Sequence, residues 1–163
     1  MKKIALFVDV QNIYYTVKQM HGCHFNYREL WRQLSREGEI VEAYAYAIDR
    51  GDSQQQGFQQ ILRDIGFRVK LKPYIQRADG SAKGDWDVGL TIDVMDTFSR
   101  PKNAINCLVL LSGDGDFDLL LKRVELGFDA TTIVYGAASL TALSLIDAAT
   151  EFRAIEATLL LNK

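Results

Sequence analysis

The sequence predicts an α/β domain, a three-layer sandwich with helices on both faces of a mostly parallel central sheet. Two observations carry this. Apolar runs too short for helices, such as residues 4–8 and 107–111, alternate along the whole chain with segments whose apolar residues recur at helical spacing. The runs are also unbroken, which is the pattern of strands buried on both faces. Right-handed crossovers then gather the carboxyl ends of the strands at one edge, where open α/β sheets bind their ligands.

Taken in order, residues 3–8 read as the first strand, ending at Asp9. Ile13, Tyr14, Val17 and Met20 follow at helical spacing until His21-Gly22-Cys23-His24 breaks the helix. Asn26 caps a helix through Leu30, Trp31 and Leu34 that ends near Gly38. Residues 39–48 alternate and are rich in Val, Ala and Tyr, a second strand. Residues 53–65 form a helix with Phe58, Ile61, Leu62 and Ile65 on one face, stopped by Gly66. Residues 67–74 alternate apolar with basic, a strand with one buried and one cationic face, ended by Pro73. Residues 76–84 read as a polar, mobile loop, 86–98 as a helix and 100–103 as a turn. The run 107–111 is the fourth long strand. After Ser112-Gly113, Leu119, Leu120, Leu121, Val124 and Leu126 continue as a helix to Gly127. Residues 129–134 are another buried strand, 139–148 a small-residue amphipathic helix and 152–155 a last short strand. The tail to Lys163 has no clear period.

The fourth strand delivers Asp114, Asp116 and Asp118 within five residues. Acids this close repel one another, and a cation would offset the clustering. The alternative is that Asp114 caps the helix and the others favour its first turn. Asp9 ends the first strand, while Asp85 and Asp87 open the helix after the polar loop. With the first and fourth strands adjacent, Asp9, Asp87, Asp114 and Asp116 fall into one pocket. Hard oxygen donors without His or Cys select Mg²⁺ or Mn²⁺ over zinc, and such ions commonly activate water in phosphodiester cleavage. Asn12, one turn after Asp9, is placed to orient a carboxylate or a water. Asp93 falls about 240° around the helix from Asp87 at 100° per residue. It therefore supports the pocket from behind or sits as a polar residue near the sheet edge. Asp118 is one turn beyond Asp114 and reads as solvated.

The 163 residues suit one domain spanning residues 1–163, with 48% hydrophobic and 25% charged side chains. No apolar run has the length of a membrane span, and residues 1–4 lead straight into a strand with no cleavable signal. Two cysteines make no disulfide framework, so a reducing cytoplasm is the expected setting. His21, Cys23 and His24 lack a further ligand cluster for zinc. Residues 1–83 carry 13 Lys/Arg against 9 Asp/Glu, and residues 84–163 carry 6 against 12. A basic pole beside an acidic one suits a polyanion processed at a cation-loaded centre. An aspartyl-phosphate phosphatase is excluded because the second Asp it needs two residues on is missing: Val10-Gln11 follow Asp9. A dinucleotide site at Gly113–Asp118 lacks its third glycine, and its acids would repel pyrophosphate.

Three blocks carry a family resemblance: Phe7-Val8-Asp9-Val10-Gln11-Asn12-Ile13-Tyr14, then Lys83-Gly84-Asp85-Trp86-Asp87-Val88 leading to Asp93, then Ser112-Gly113-Asp114-Gly115-Asp116-Phe117. In order and spacing they resemble the NYN domain, most of all its bacterial LabA-like branch. The resemblance implies a PIN-like fold related to the FEN-type nucleases, a sheet of order 3-2-1-4-5 and a metal-dependent ribonuclease site. By position, its metal-binding acids would be Asp9, Asp87, Asp114 and Asp116, with Asn12 and Ser112 supporting. Trp86 departs from the family, which usually has a small aliphatic residue there. The implied function is a ribonuclease; the alternative is a non-catalytic RNA-binding or regulatory module that keeps the acidic pocket. The expected partner is single-stranded RNA, with a homodimer left open. Arg68, Lys70, Lys72, Arg77 and Lys83 would hold its phosphates, and Tyr74 and Tyr14 would stack on unpaired bases.

Overall fold

Five unbroken apolar residues before Asp9 and five before Ser112 make two strands that lie side by side in the centre of a parallel sheet. The computed structural model describes the chain apart from residues 74, 77–81, 84, 101–103 and 162–163; for residues 73, 75, 76, 82 and 83 it describes the backbone alone. The elements are β1 (Lys2–Asp9), α1 (Val10–His21), β2 (His24–Phe25), α2 (Tyr27–Glu37), β3 (Gly38–Asp49), α3 (Ser53–Ile65), β4 (Arg68–Pro73), β5 (Ile75–Gln76) and β6 (Ala82–Lys83). They continue with α4 (Asp87–Ser99), β7 (Cys107–Leu111), α5 (Asp118–Phe128), β8 (Thr131–Gly136), α6 (Leu143–Ala148), β9 (Glu151–Ala154) and β10 (Leu160–Leu161).

The main sheet runs β4-β3-β1-β7-β8-β9, and every neighbouring pair is parallel. Numbered within this sheet alone, the order is 3-2-1-4-5-6: the expected order with a sixth strand, β9, added beyond β8. Side chains on β1 alternate between two cores. Ile4, Leu6 and Val8 pack with Ile13 and Val17 of α1, Leu30 and Leu34 of α2 and Leu62 of α3. Ala5 and Phe7 pack with Leu90 and Val94 of α4, Leu120, Leu121 and Val124 of α5 and Leu145 of α6. Three layers follow from that two-residue period. β2 pairs antiparallel with β10, tying the tail back to the start of α2. β5 pairs antiparallel with β6. Among the described residues, no helix is long and apolar enough to cross a membrane.

Register sets the site. Asp9 pairs with Tyr46, and Tyr46 with Lys70, so these three form one row across β1, β3 and β4. On the other side Val8 pairs with Leu111, which leaves Ser112 beside Asp9.

Two expectations need correction. The helix expected over residues 139–148 is broken into a 3₁₀ turn (Ala138–Leu140) and α6. The Ala142 amide is spent on the Gly113 carbonyl at 3.0 Å, and the Thr141 hydroxyl on the Ala137 carbonyl at 2.7 Å. Asp129 does not open β8; it caps α5 in the left-handed region at φ 52°. In α5, as its helical spacing allows, Leu120, Leu121 and Val124 face inward while Leu119 and Leu126 are 76% and 84% exposed.

That contrast is measurable. Leu110 is fully buried, so Leu110→Ala should lower unfolding free energy in urea by about 2–5 kcal/mol. Leu126→Ala should stay within roughly 0.5 kcal/mol. Comparable losses would contradict the packing described.

Candidate metal centre

Asp9 ends β1 and caps α1, accepting from the Asn12 amide at 3.4 Å. From β7, the Ser112 hydroxyl donates to Asp9 Oδ2 at 3.2 Å. The Asn12 side chain returns the link, its Oδ1 accepting from the Gly113 amide at 2.8 Å. Ser112 Oγ also accepts from the Asp114 amide at 3.1 Å, and Asp114 Oδ1 from the Asp116 amide at 2.9 Å. The turn after β7 is thus stitched to the turn after β1. Gly113 has no room for a side chain: a Cβ there would lie 2.7 Å from the Leu140 carbonyl oxygen.

The third element arrives from the other side. Asp87 opens α4, and the residue before it is anchored to β3. The Trp86 indole N–H donates to the Ala47 carbonyl at 2.8 Å, and its ring meets Tyr46 edge-on at 5.3 Å. Lys72 Nζ lies 5.1 Å from the centroid of that indole and donates to the Asp85 carbonyl at 3.1 Å. Asp85 Oδ1 accepts weakly from the Asp87 amide at 3.4 Å. One and a half turns into α4, Asp93 Oδ2 accepts from the Tyr46 hydroxyl at 2.8 Å and from Lys70 Nζ at 2.6 Å. These contacts clamp α4 to β3 and β4.

The outcome is that carboxylate oxygens of Asp87, Asp114 and Asp116 lie within 4.8 Å of one another. Asp9 stands beside this trio rather than in it, turned towards Ser112 and the α1 amide. Burial pushes the Asp9 carboxyl up to about 6, against the lowering effect of the Asn12 amide and Ser112, with the charges of Asp114 and Asp85 adding to the rise. Asp87 is raised to about 7, first by burial, then by its hydrogen bond with Asp114 and the charges of Asp114, Asp85 and Asp9. Three converging carboxylates offer oxygen-only donors, the set that a hard divalent cation takes.

Of the sequence candidates, Asp87, Asp114 and Asp116 meet, and Asp9, Asn12 and Ser112 brace them. Asp85 is exposed at the rim. Asp93 faces the sheet and carries an ion pair, so it anchors α4 behind the pocket. Asp118 turns to the Leu119 amide at 2.6 Å. Lys70 and Lys72 are not the free cationic face that strand alternation suggests: Lys70 is paired with Asp93, and Lys72 holds the Trp86 corner. Arg68 is exposed at the start of β4, level with Tyr44 and below the Asp9 row. Tyr74 and Arg77, and the side chain of Lys83, lie outside the described residues. Sequence reasoning missed the anchoring roles of Trp86 and Tyr46 and the contact between Gly113 and Leu140. Trp86 had a signal, since a large aromatic ring directly before a helix-opening acid must be packed somewhere.

The raised carboxyls give a pH test. Without metal, folded Asp9 and Asp87 keep protons that an unfolded chain, with its ordinary value of 3.8, has released. Their contribution to stability is full below that value and is lost as pH rises through about 6 and 7. Asp87→Asn cannot ionise. In EDTA its melting temperature should therefore gain on wild type as pH goes from 5 to 8. A difference that stays flat or shrinks would mean that the acids do not strain the fold.

Comparison with known proteins agrees with the fold. The NYN domain family matches residues 3–156. The low amplitude and bright protein LabA of Synechococcus elongatus is 27% identical over 140 residues, covering 81% of this chain and 73% of its own. A crystal structure of a protein of unknown function from Vibrio parahaemolyticus superposes with a TM-score of 0.90. It shares 47% identity and covers 98% of this chain and 96% of its own. The family match takes in all three acidic blocks and every strand of the main sheet, so this chain belongs to the NYN domain family.

Proposed function

We propose that this protein is a divalent-metal-dependent ribonuclease that hydrolyses phosphodiester bonds at the acidic pocket. The observation that carries the reading is the trio of oxygen donors at the carboxyl edge of the sheet, brought together from α4 and from the turn after β7. Asp87, Asp114 and Asp116 would hold Mg²⁺ or Mn²⁺, with Asp9 completing the acid set. When bound, such an ion activates water and stabilises the leaving oxygen.

The chain's own residues fit hydrolysis without a protein nucleophile. The Ser112 hydroxyl lies among the acids, but it is fully buried, donates to Asp9 and accepts from the Asp114 amide. Its proton and one lone pair are committed to holding the turn. His21 and His24 lie at the break after α1, outside the three acidic blocks of the sequence. Ser112 and Asn12 fix Asp9 and the turn, while Trp86 and Lys72 fix the approach of Asp87. Little is left to reorganise when substrate arrives, which is the arrangement that electrostatic catalysis favours.

Two outcomes test this. Mn²⁺ should raise the melting temperature. An ion at a hundredfold excess over its Kd stabilises by about 2.7 kcal/mol; Asp114→Asn should lose most of that gain, and equal shifts in both proteins would argue against the site. Single-stranded RNA should be cut to 5′-phosphate products in Mn²⁺. Cleavage should survive a 2′-deoxy substitution at the scissile nucleotide and the His21→Ala change, and vanish in Asp9→Asn and Asp116→Asn. Cyclic-phosphate products, or cleavage in excess EDTA, would overturn the mechanism. An inert metal-loaded protein would favour the regulatory role.

A further inference from the structure

We propose that the outer face of α4 and α5 is the interface of a two-fold symmetric homodimer, in which α4 of each copy lies antiparallel on α5 of the other.

That face is apolar where a solvated helix surface would be polar. Leu90, Val94 and Phe98 turn α4 towards the sheet, yet Val88 and Ile92 on its other side are 71% and 54% exposed. At about 100° per residue Val88, Ile92 and Met95 form one stripe at i, i+4 and i+7. On α5, Leu119 and Leu126 form a second stripe, more exposed than the first. The two helices run side by side in the same direction. Their amino ends meet at the acid trio, and their carboxyl ends at Phe98 and Phe128, whose rings are 5.8 Å apart. The stripes therefore share one surface at matching heights. Large apolar side chains grouped in this way mark a contact surface.

The charges on the surface select its occupant. Asp96 stands one turn after Ile92 on α4, and Lys122 one turn before Leu126 on α5; all four residues are exposed. Among the described residues neither Asp96 nor Lys122 has a salt bridge. Arg100, one turn from Asp96, is held by Glu42 at 2.9 Å.

The spacings match across the two helices. From Ile92 to Asp96 and from Lys122 to Leu126 is four residues, about 6 Å along each axis. Lay α4 of a second copy antiparallel on α5, and the register that sets Asp96 opposite Lys122 also sets Ile92 opposite Leu126. Because α4 and α5 run parallel within one copy, a two-fold axis between them makes the reciprocal contacts at the same time. The surface thus satisfies its own charges and its own apolar residues in a single register. A nucleic acid would meet Asp96 and four aliphatic side chains here, and finds no such match. The acid trio lies at the amino ends of both helices, so the two pockets come to opposite ends of the dimer, and the interface is independent of what they do.

Sedimentation velocity over a concentration series tests this. The parent protein should sediment as a dimer at high concentration and dissociate on dilution. Ile92→Asp and Leu126→Asp should each raise the dimer Kd at least about tenfold. Asp96→Lys and Lys122→Asp each set like charges opposite one another and should loosen the dimer to a similar degree. Mixed in equal amounts, those two charge variants should associate as tightly as the parent, because each surface then meets its opposite, and a chain carrying both substitutions should dimerise by itself. Melting curves confirm that every variant is folded. A parent that stays monomeric at every concentration, a dimer indifferent to these substitutions, or a mixture no tighter than its components would overturn the proposal.

Discussion

Like charges held in one crevice are the constraint around which this molecule is arranged. Three carboxylates whose oxygens lie within 4.8 Å repel by about 1 kcal/mol per pair in water and on the order of 3–4 kcal/mol at an effective dielectric of 20. Left to themselves, the turns that carry them would splay apart. They are prevented by ties at the level of the backbone: Asn12 to the Gly113 amide, Ser112 to both Asp9 and the Asp114 amide, and Ala142 to the Gly113 carbonyl. None of these ties uses the acid trio's own oxygens to reach a neighbouring element. The trio's oxygens bond only within the cluster, Asp114 to the Asp116 amide and to Asp87.

The same logic explains the back of the pocket. α4 could bring Asp87 close only if its first turn were pinned against the repulsion. The pins are the Trp86 indole on the Ala47 carbonyl and, deeper, the Tyr46 hydroxyl and Lys70 on Asp93. A row of residues at one register level, Asp9, Tyr46 and Lys70, therefore serves two purposes. One end belongs to the site, and the middle and far end hold the helix that completes it.

Much of this was legible in the residues. Unbroken apolar runs and helical spacing gave the layers and their alternation, because burial on both faces leaves no room for polar positions in β1 or β7. The ends of those runs placed Asp9 and Asp114 at one edge. Helical angle alone ruled Asp93 out of the front of the pocket, and the structure puts it against Tyr46 and Lys70. What one strand cannot reveal is its neighbour: the period of β4 marks Lys70 and Lys72 as one face, but whether that face meets water or an acid on α4 is decided in three dimensions. The leucines of α5, by contrast, could be sorted from the sequence: at about 100° per residue Leu119 and Leu126 fall on the side opposite Leu120, Leu121 and Val124, and the structure leaves them in solvent.

The indole before Asp87 has an optical consequence. The chain has two tryptophans. Trp31 packs edge-on to Phe67 in the opposite layer, while Trp86 sits one residue from the acid trio with a lysine over its ring. Were a paramagnetic ion to enter the pocket, it would quench the nearer indole and leave the farther one emitting. The two indoles would then serve as a fluorescent gauge of occupancy and its internal reference on the far side of the sheet.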